Sequence, residues 1–253
     1  MRPYILNETN WKEIKKNEFN LAILPWGATE AHNFHLPYGT DNIQVEKIAI
    51  ESAGYAWDKG AKVIVLPVIP FGVNTGQKDI KLDLNIYPST QAAILYDITE
   101  VLNRQGINKL LVLNGHGGND FKSIIRELGS KFPDMLLVIC NWFEALNKAE
   151  YFEHEGDHAD EMETSLMLYL NNEWVLPLKE AGDGKSKKFK IKALNENWVW
   201  SERKWSKVSV DTGVGYPKKA SKEKGRTYFE AVTRKIGQLL IQLAEINPDD
   251  LYE

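Results

Sequence analysis

The sequence predicts an α/β fold, a three-layer α/β/α sandwich around a mostly parallel central sheet. Three observations lead there. Four short apolar runs, at 21–25, 61–67, 109–113 and 135–140, have the length and branched content of buried strands. Segments of helical periodicity separate them, and strand–helix–strand order favours parallel pairing with helices on both faces. The polar motifs follow strands directly, and in such sheets sites form at the carboxyl ends of strands.

In chain order, 21–25 (LAILP) is the first strand. Residues 42–59 form a helix whose stripe is Ile43, Ile48, Ile50, Ala53 and Trp57, with Thr40 or Asp41 as its cap. The run 61–67 (AKVIVLP) is a second strand. Pro88 and Ser89 open a helix over 89–104 and Gly106 closes it. Strand 109–113 (KLLVL), helix 120–131, strand 135–140 and helix 161–170 follow, the last carrying Leu166, Met167 and Leu170. A stretch around 179–218, rich in lysine and tryptophan, breaks the pattern. It reads as a long surface excursion with solvated lysines. The alternative is a lid or subunit contact, because Trp198, Trp200 and Trp205 are costly to leave in water. A long amphipathic helix over 219–246 ends a single domain spanning 1–253.

The bulk properties narrow the function. At 253 residues and 43% hydrophobic, the composition is that of a soluble globular domain. A net charge of -4 argues against nucleic-acid binding, which draws on a basic surface. The single cysteine, Cys140, forms no internal bridge and reads as a buried strand residue. No run approaches the ~18 apolar residues of a membrane span. Met1 to Glu8 has no apolar core, so neither a signal peptide nor a membrane partner is expected, and the expected location is the cytoplasm.

All five histidines fall in three short polar segments. In the first, GATEAHNFHLPYGTD, Glu30 and His32 leave the same face of an extended chain, and Asp41 follows a loop that turns back. Carboxylate and imidazole are ligand types for Zn, Mn or Fe. The competing reading makes Asp41 a helix cap, with Glu30 and His32 ordinary loop residues. In the second, NGHGGN, three glycines let the backbone around His116 approach a small site, or simply flank a structural histidine. The third, HEGDHADEMETS, sets acids beside His154 and His158. A helix N-terminus accounts for the acids but not for the histidines. There is no G-x-S-x-G elbow and no H-E-x-x-H.

These segments resemble the signatures of the creatininase family. GATEAHNFHLPYGTD resembles its first motif, NGHGGN its second and HADEMETSLML its third. Thr212 to Pro217 resembles its closing glycine-proline loop. The resemblance implies an α/β/α domain with two divalent metal ions per chain. It also implies amide hydrolysis, often of a cyclic or formyl amide, and a homo-oligomer, often a hexamer. By position it implies that Glu30, His32, Asp41 and His116 are metal ligands, Asp41 bridging, and that His158 is the general acid/base.

Two departures matter. Where the family pattern has an aromatic residue and a metal-binding glutamate after the second-motif histidine, this chain has Gly117 and Gly118. Where it has a substrate-contacting tryptophan, this chain has His154. Gly117 and His154 therefore mark an altered substrate wall, and creatinine is a doubtful substrate. Glu163 is expected to replace the missing ligand, because on a helix over 161–170 it shares the core-facing side with Met167 and Leu170 while Glu161 leans away. Asp160 or Glu161 is expected to orient His158, and His35 to be a supporting residue. The expected reaction is attack on a small-molecule amide by hydroxide held between the two ions, with His158 protonating the leaving nitrogen. A peptidase trimming a modified peptide and a non-catalytic ligand-binding member of the fold are the alternatives.

Overall fold

A computed structural model describes residues 1–196 and 198–253. Four strands, β1 (Leu21–Trp26), β2 (Val63–Val65), β3 (Lys109–Asn114) and β4 (Leu136–Asn141), form one parallel sheet in the order β2-β1-β3-β4. Eight α-helices are found among the described residues: α1 (Trp11–Ile14), α2 (Thr40–Asp58), α3 (Pro88–Arg104), α4 (Lys122–Lys131), α5 (Glu161–Leu170), α6 (Lys192–Asn195), α7 (Trp205–Val208) and α8 (Lys222–Glu245).

Successive strand residues face opposite sides of the sheet, and both sides are apolar. Ile23, Val63, Leu111 and Leu113 pack against Val45, Ile48 and Ala53 of α2, Leu166 of α5, and Val232 and Ile236 of α8. Leu24, Ile64, Leu110 and Val112 pack on the opposite face against Leu95 and Leu102 of α3 and Ile124 and Leu128 of α4. The predicted α/β/α sandwich is therefore the observed one. Among the described residues no helix is long and apolar enough to cross a membrane.

The boundaries differ from expectation for local reasons. The second strand is three residues long rather than seven. Pro67 has no N–H to donate, so regular pairing to β1 stops before it. The outer edge of β2 is covered from the N-terminus, where Val65 N–H donates to the Tyr4 carbonyl at 2.8 Å. Neither Thr40 nor Asp41 caps α2. Gly39 holds the cap position, and both residues lie inside the first turn, which frees the Asp41 carboxylate for the site. The last helix starts at Lys222, because Ser221 caps it by accepting from Lys224 N–H at 3.2 Å.

Helices α5 and α8 cross in close contact at Gly225. A Cβ there would lie 1.9 Å from the Ser165 carbonyl oxygen. Gly225→Ala forces these helices apart, and overpacking of this kind costs about 1–3 kcal/mol. The expected result is a melting temperature lower by roughly 2–12 °C, at roughly 2–4 °C per kcal/mol for a chain of this size. An unchanged melting curve would show that the crossing is looser than described.

Candidate metal centre

The exits of β1 and β3 and the first turns of α2 and α5 converge on one buried cluster. Glu30 and His32 come from the loop after β1, and Asp41 from the first turn of α2. His116 follows β3, His158 precedes α5, and Glu163 lies in its first turn. Asp41 and Glu163 thus sit where helix dipoles favour negative charge. All six side chains are buried.

Each imidazole is oriented by a backbone carbonyl. His32 Nδ1 lies 3.0 Å from the Glu30 carbonyl oxygen, His116 Nε2 3.1 Å from that of Val73, and His158 Nε2 2.8 Å from that of Ala31. Donation to those carbonyls leaves the other ring nitrogen of each as a lone-pair donor facing the acids. His32 Nε2 is 3.0 Å from Asp41 Oδ1. His116 Nδ1 is 2.9 Å from Glu30 Oε1 and 3.2 Å from Asp41 Oδ2. Glu163 Oε1 is 4.0 Å from His32 Nε2, and His158 Nδ1 is 3.6 Å from Glu30 Oε1. Asp41 Oδ2 is buried and has no hydrogen-bond partner.

Two candidate ligand sets share Asp41. Glu30, Asp41 and His116 form one, and His32, Asp41 and Glu163 form the other, with donor atoms within 4.8 Å of one another in each. Glu30, His32 and His158 make a third grouping of the same tightness. Three buried carboxylates need nearby positive charge, and they act on the imidazoles around them. Burial alone lowers His32, but Asp41, Glu163 and Glu30 outweigh it and raise the imidazole to about 10. His116 is raised in the same way, burial again opposing, by Glu30 and Asp41. Burial pushes Glu163 up to about 8. Burial also lowers His158, aided by the His32 charge. A proton added to the acid-facing nitrogen of His32 and of His116 would supply that positive charge. The Asp41 oxygens and the ring nitrogens that face them fit divalent cations in the place of such protons.

The surrounding residues differ in part from the sequence expectation. Neither Asp160 nor Glu161 reaches the His158 ring. Asp160 caps α5 by accepting Glu163 N–H at 3.0 Å. Glu161 accepts the N–H groups of Glu153 and His154 at 3.0 and 3.1 Å and pairs with Lys224. His35, buried and lowered to about 4 by desolvation, meets Thr164 Oγ1 at 2.9 Å behind the cluster. His154 is exposed and lies edge-on to Tyr216, away from the cluster. A Cβ on Gly118 would stand 2.4 Å from both His116 Nε2 and the Val73 carbonyl oxygen, so the His116 ring needs a glycine there.

Two supporting residues escaped sequence reading. Gln77 donates to Glu30 Oε2, and the Asp83 carboxylate accepts Ala31 N–H at 2.7 Å. Burial pushes Asp83 up to about 7. Both lie in the irregular segment after β2, where no periodicity or motif marks them.

A cleft of about 290 Å³ opens over Glu30, His116, Gly117 and His158. Trp205 and Arg203 form part of its wall. The Trp205 ring meets His158 edge-on at 4.7 Å, and Arg203 lies over Trp205 at 4.5 Å while pairing with Asp157 at 2.9 Å. Part of the lysine- and tryptophan-rich excursion thus covers the site, although Trp198 and Trp200 stay exposed. A larger apolar groove of about 800 Å³, lined by Leu6, Trp11 and Val101, contains none of the clustered groups.

These shifts set a pH dependence for the protein stripped of divalent ions. Glu163 is raised from 4.5 to about 8 and His32 from 6.5 to about 10. A raised group binds more protons folded than unfolded, so its stabilisation is full below the unfolded value and is lost as pH rises through the folded one. Both losses operate between pH 7 and 9. The melting temperature in chelator should therefore fall across that interval, and a flat or rising profile would contradict the charge balance described.

The family model described as Creatininase, creatinine amidohydrolase, matches residues 7–240. The chain is 26% identical over 189 residues to the 3-dehydro-scyllo-inosose hydrolase of Thermotoga maritima, covering 68% of this chain and 59% of that protein. It is 24% identical over 161 residues to the mycofactocin precursor peptide peptidase of Mycolicibacterium smegmatis, covering 62% and 60% respectively. It therefore spans about 60% of the length of these curated relatives. A crystal structure from Bacteroides fragilis NCTC 9343, provisionally named a creatinine amidohydrolase, is similar at TM-score 0.93 and 44% identity over 100% of both chains. A creatininase mutant of Zn-Zn type shares the fold at TM-score 0.80 and 21% identity, over 97% of this chain and 100% of that one. With the family match running over nearly its whole length, the chain belongs to the creatininase family.

Proposed function

We propose that this hydrolase-family chain is a metal-dependent amidohydrolase. It binds two divalent ions, Zn, Mn or Fe, and cleaves a small cyclic or formyl amide. The observation that carries the proposal is the buried Asp41 carboxylate, which faces His32 with one oxygen and His116 with the other. Glu30 and His116 complete one site, and His32 and Glu163 the other. Such ions polarise a carbonyl and lower the pKa of water, which provides a nucleophile at neutral pH.

The chain's own residues supply the rest. His158 is buried and its pKa is lowered, so near pH 7 its Nδ1, the nitrogen turned toward Glu30, can accept the proton that the attacking water gives up. It then passes that proton to the leaving nitrogen. Its Nε2–H stays on the Ala31 carbonyl, which fixes the ring through both transfers. Trp205 gives the substrate an apolar wall beside this proton carrier. Gly117, where a Cβ would meet nothing within 4 Å, leaves the opposite wall open.

A peptidase reading draws on the relative named as a peptide peptidase. The cleft of about 290 Å³ favours a small substrate instead. The deciding experiment assays creatinine, other cyclic amides, formamides and short peptides with metal-loaded protein. Turnover of a small amide, with poor creatinine turnover, is expected. Activity confined to peptides would transfer the assignment to the peptidase reading.

Two variants separate the assigned roles. His158→Gln should lower kcat by roughly 10²–10⁴-fold, the usual worth of a positioned acid/base, with ion content unchanged. Glu163→Gln keeps shape but removes charge, and elemental analysis should show the loss of one of the two ions. Retention of both as tightly as in the parent would remove Glu163 from the ligand set.

A further inference from the structure

We propose that Asp83 is a positioning residue for His32, acting through the Glu30–Ala31 peptide to hold the imidazole with Nε2 toward Asp41 and to strengthen it as a ligand. This deepens the metal-centre reading above and rests on it.

The geometry forms a continuous chain. Asp83 Oδ1 accepts Ala31 N–H at 2.7 Å. That N–H belongs to the same peptide unit as the Glu30 carbonyl, which lies 3.0 Å from His32 Nδ1. His32 Nε2 then faces Asp41 Oδ1 at 3.0 Å. A carboxylate at the N–H end of a peptide increases the negative charge on its oxygen. The oxygen then draws more strongly on the Nδ1–H, and the ring becomes a better electron-pair donor at Nε2. Metal-bound histidines commonly give their second N–H to a carboxylate or a carbonyl, and these partners tune affinity. Here a carbonyl makes the direct contact and a carboxylate stands behind it.

Asp83 is held for this task. Leu82 occupies the left-handed region at φ 65°, a conformation an L-residue adopts only when its surroundings impose it. Leu84 N–H donates to the Thr29 carbonyl at 2.9 Å, which ties the turn to the loop that carries Glu30. Asp83 Oδ2 is buried and has no partner. An apolar or amide side chain would anchor a turn without that desolvation cost.

Zinc affinity, measured by competition with a chromophoric chelator at pH 8.5, tests the proposal. Asp83→Asn keeps an oxygen for Ala31 N–H but removes the charge, and should weaken one of the two ions about tenfold. Asp83→Ala should weaken it about 10–100-fold, the range seen when such partners are removed. Thermal melting of the ion-free proteins controls for folding. If Asp83→Asn also melts lower, Asp83→Glu decides: recovered affinity supports the proposal, and no recovery overturns it. Parent-like affinity in Asp83→Asn overturns it whatever Asp83→Ala does, since Asp83 then only anchors the turn. A parent that takes up no zinc removes the metal-centre reading itself, and this proposal with it.

Discussion

The site is organised around one shared carboxylate. Asp41 is buried and lies between two imidazoles, its Oδ1 toward His32 and its Oδ2 toward His116. A carboxylate in such a place is tolerated only with positive charge close by. Several features of the fold serve that requirement. The first turn of α2 gives Asp41 a favourable dipole, and parallel pairing of β1 with β3 brings the exit carrying His32 beside the exit carrying His116. Gly118 lets the His116 ring lie close to its own loop. Had Asp41 acted as an ordinary helix cap, its oxygens would have been used by backbone N–H groups of α2. Gly39 takes the cap position without a side chain and leaves them free.

What the sequence reveals about this centre follows from how local each signal is. The strands announce themselves because both faces of the sheet are buried, which produces runs such as KLLVL. Glu30, His32, Asp41, His116, His158 and Glu163 are visible because scarce histidines stand beside acids and glycines in three short segments. Gln77 and Asp83 act across 47 and 52 residues of chain, from a segment with no periodicity. Their roles arise from the tertiary path of that segment, and no spacing encodes it. The orientation of His158 is hidden from local sequence for a related reason. Asp160 and Glu161 are its sequence neighbours, but one is used by the helix cap and the other by the backbone of Glu153 and His154. A carbonyl 127 residues away orients the ring instead.

Main-chain groups carry much of the organisation here. The carbonyls of Glu30, Ala31 and Val73 each face one imidazole, so the loop backbones set all three rings. Asn33, Ala159 and Thr212 have φ of 55°, 50° and 63°, and the first two directly follow His32 and His158. Thr212 Oγ1 both donates to the Ala31 carbonyl and accepts Asn33 N–H. Residues held in this region cost free energy and persist where the surroundings over-determine them. These turns point successive side chains in directions that an ordinary strand or helix would not allow.

In the proposed centre a carboxylate at position 163 serves where Gly118 offers none. Glu163 shares a segment with His158. Its Oε1 faces His32, while its Oε2 accepts the N–H of Ala159, the residue next to His158. One carboxylate thereby joins the second candidate ligand set to the backbone that presents His158, the proposed acid/base. Loss of charge at Glu163 would loosen the Ala159 turn as well as the ligand set, since a charge-assisted hydrogen bond is stronger than a neutral one. The β3 loop lines the cleft with His116, Gly117, Gly118 and Asp120, and at Gly117 a Cβ would meet nothing within 4 Å. Trp205 and Arg203 of the 179–218 excursion, the segment with the least regular sequence in the chain, supply part of the remaining wall beside His158.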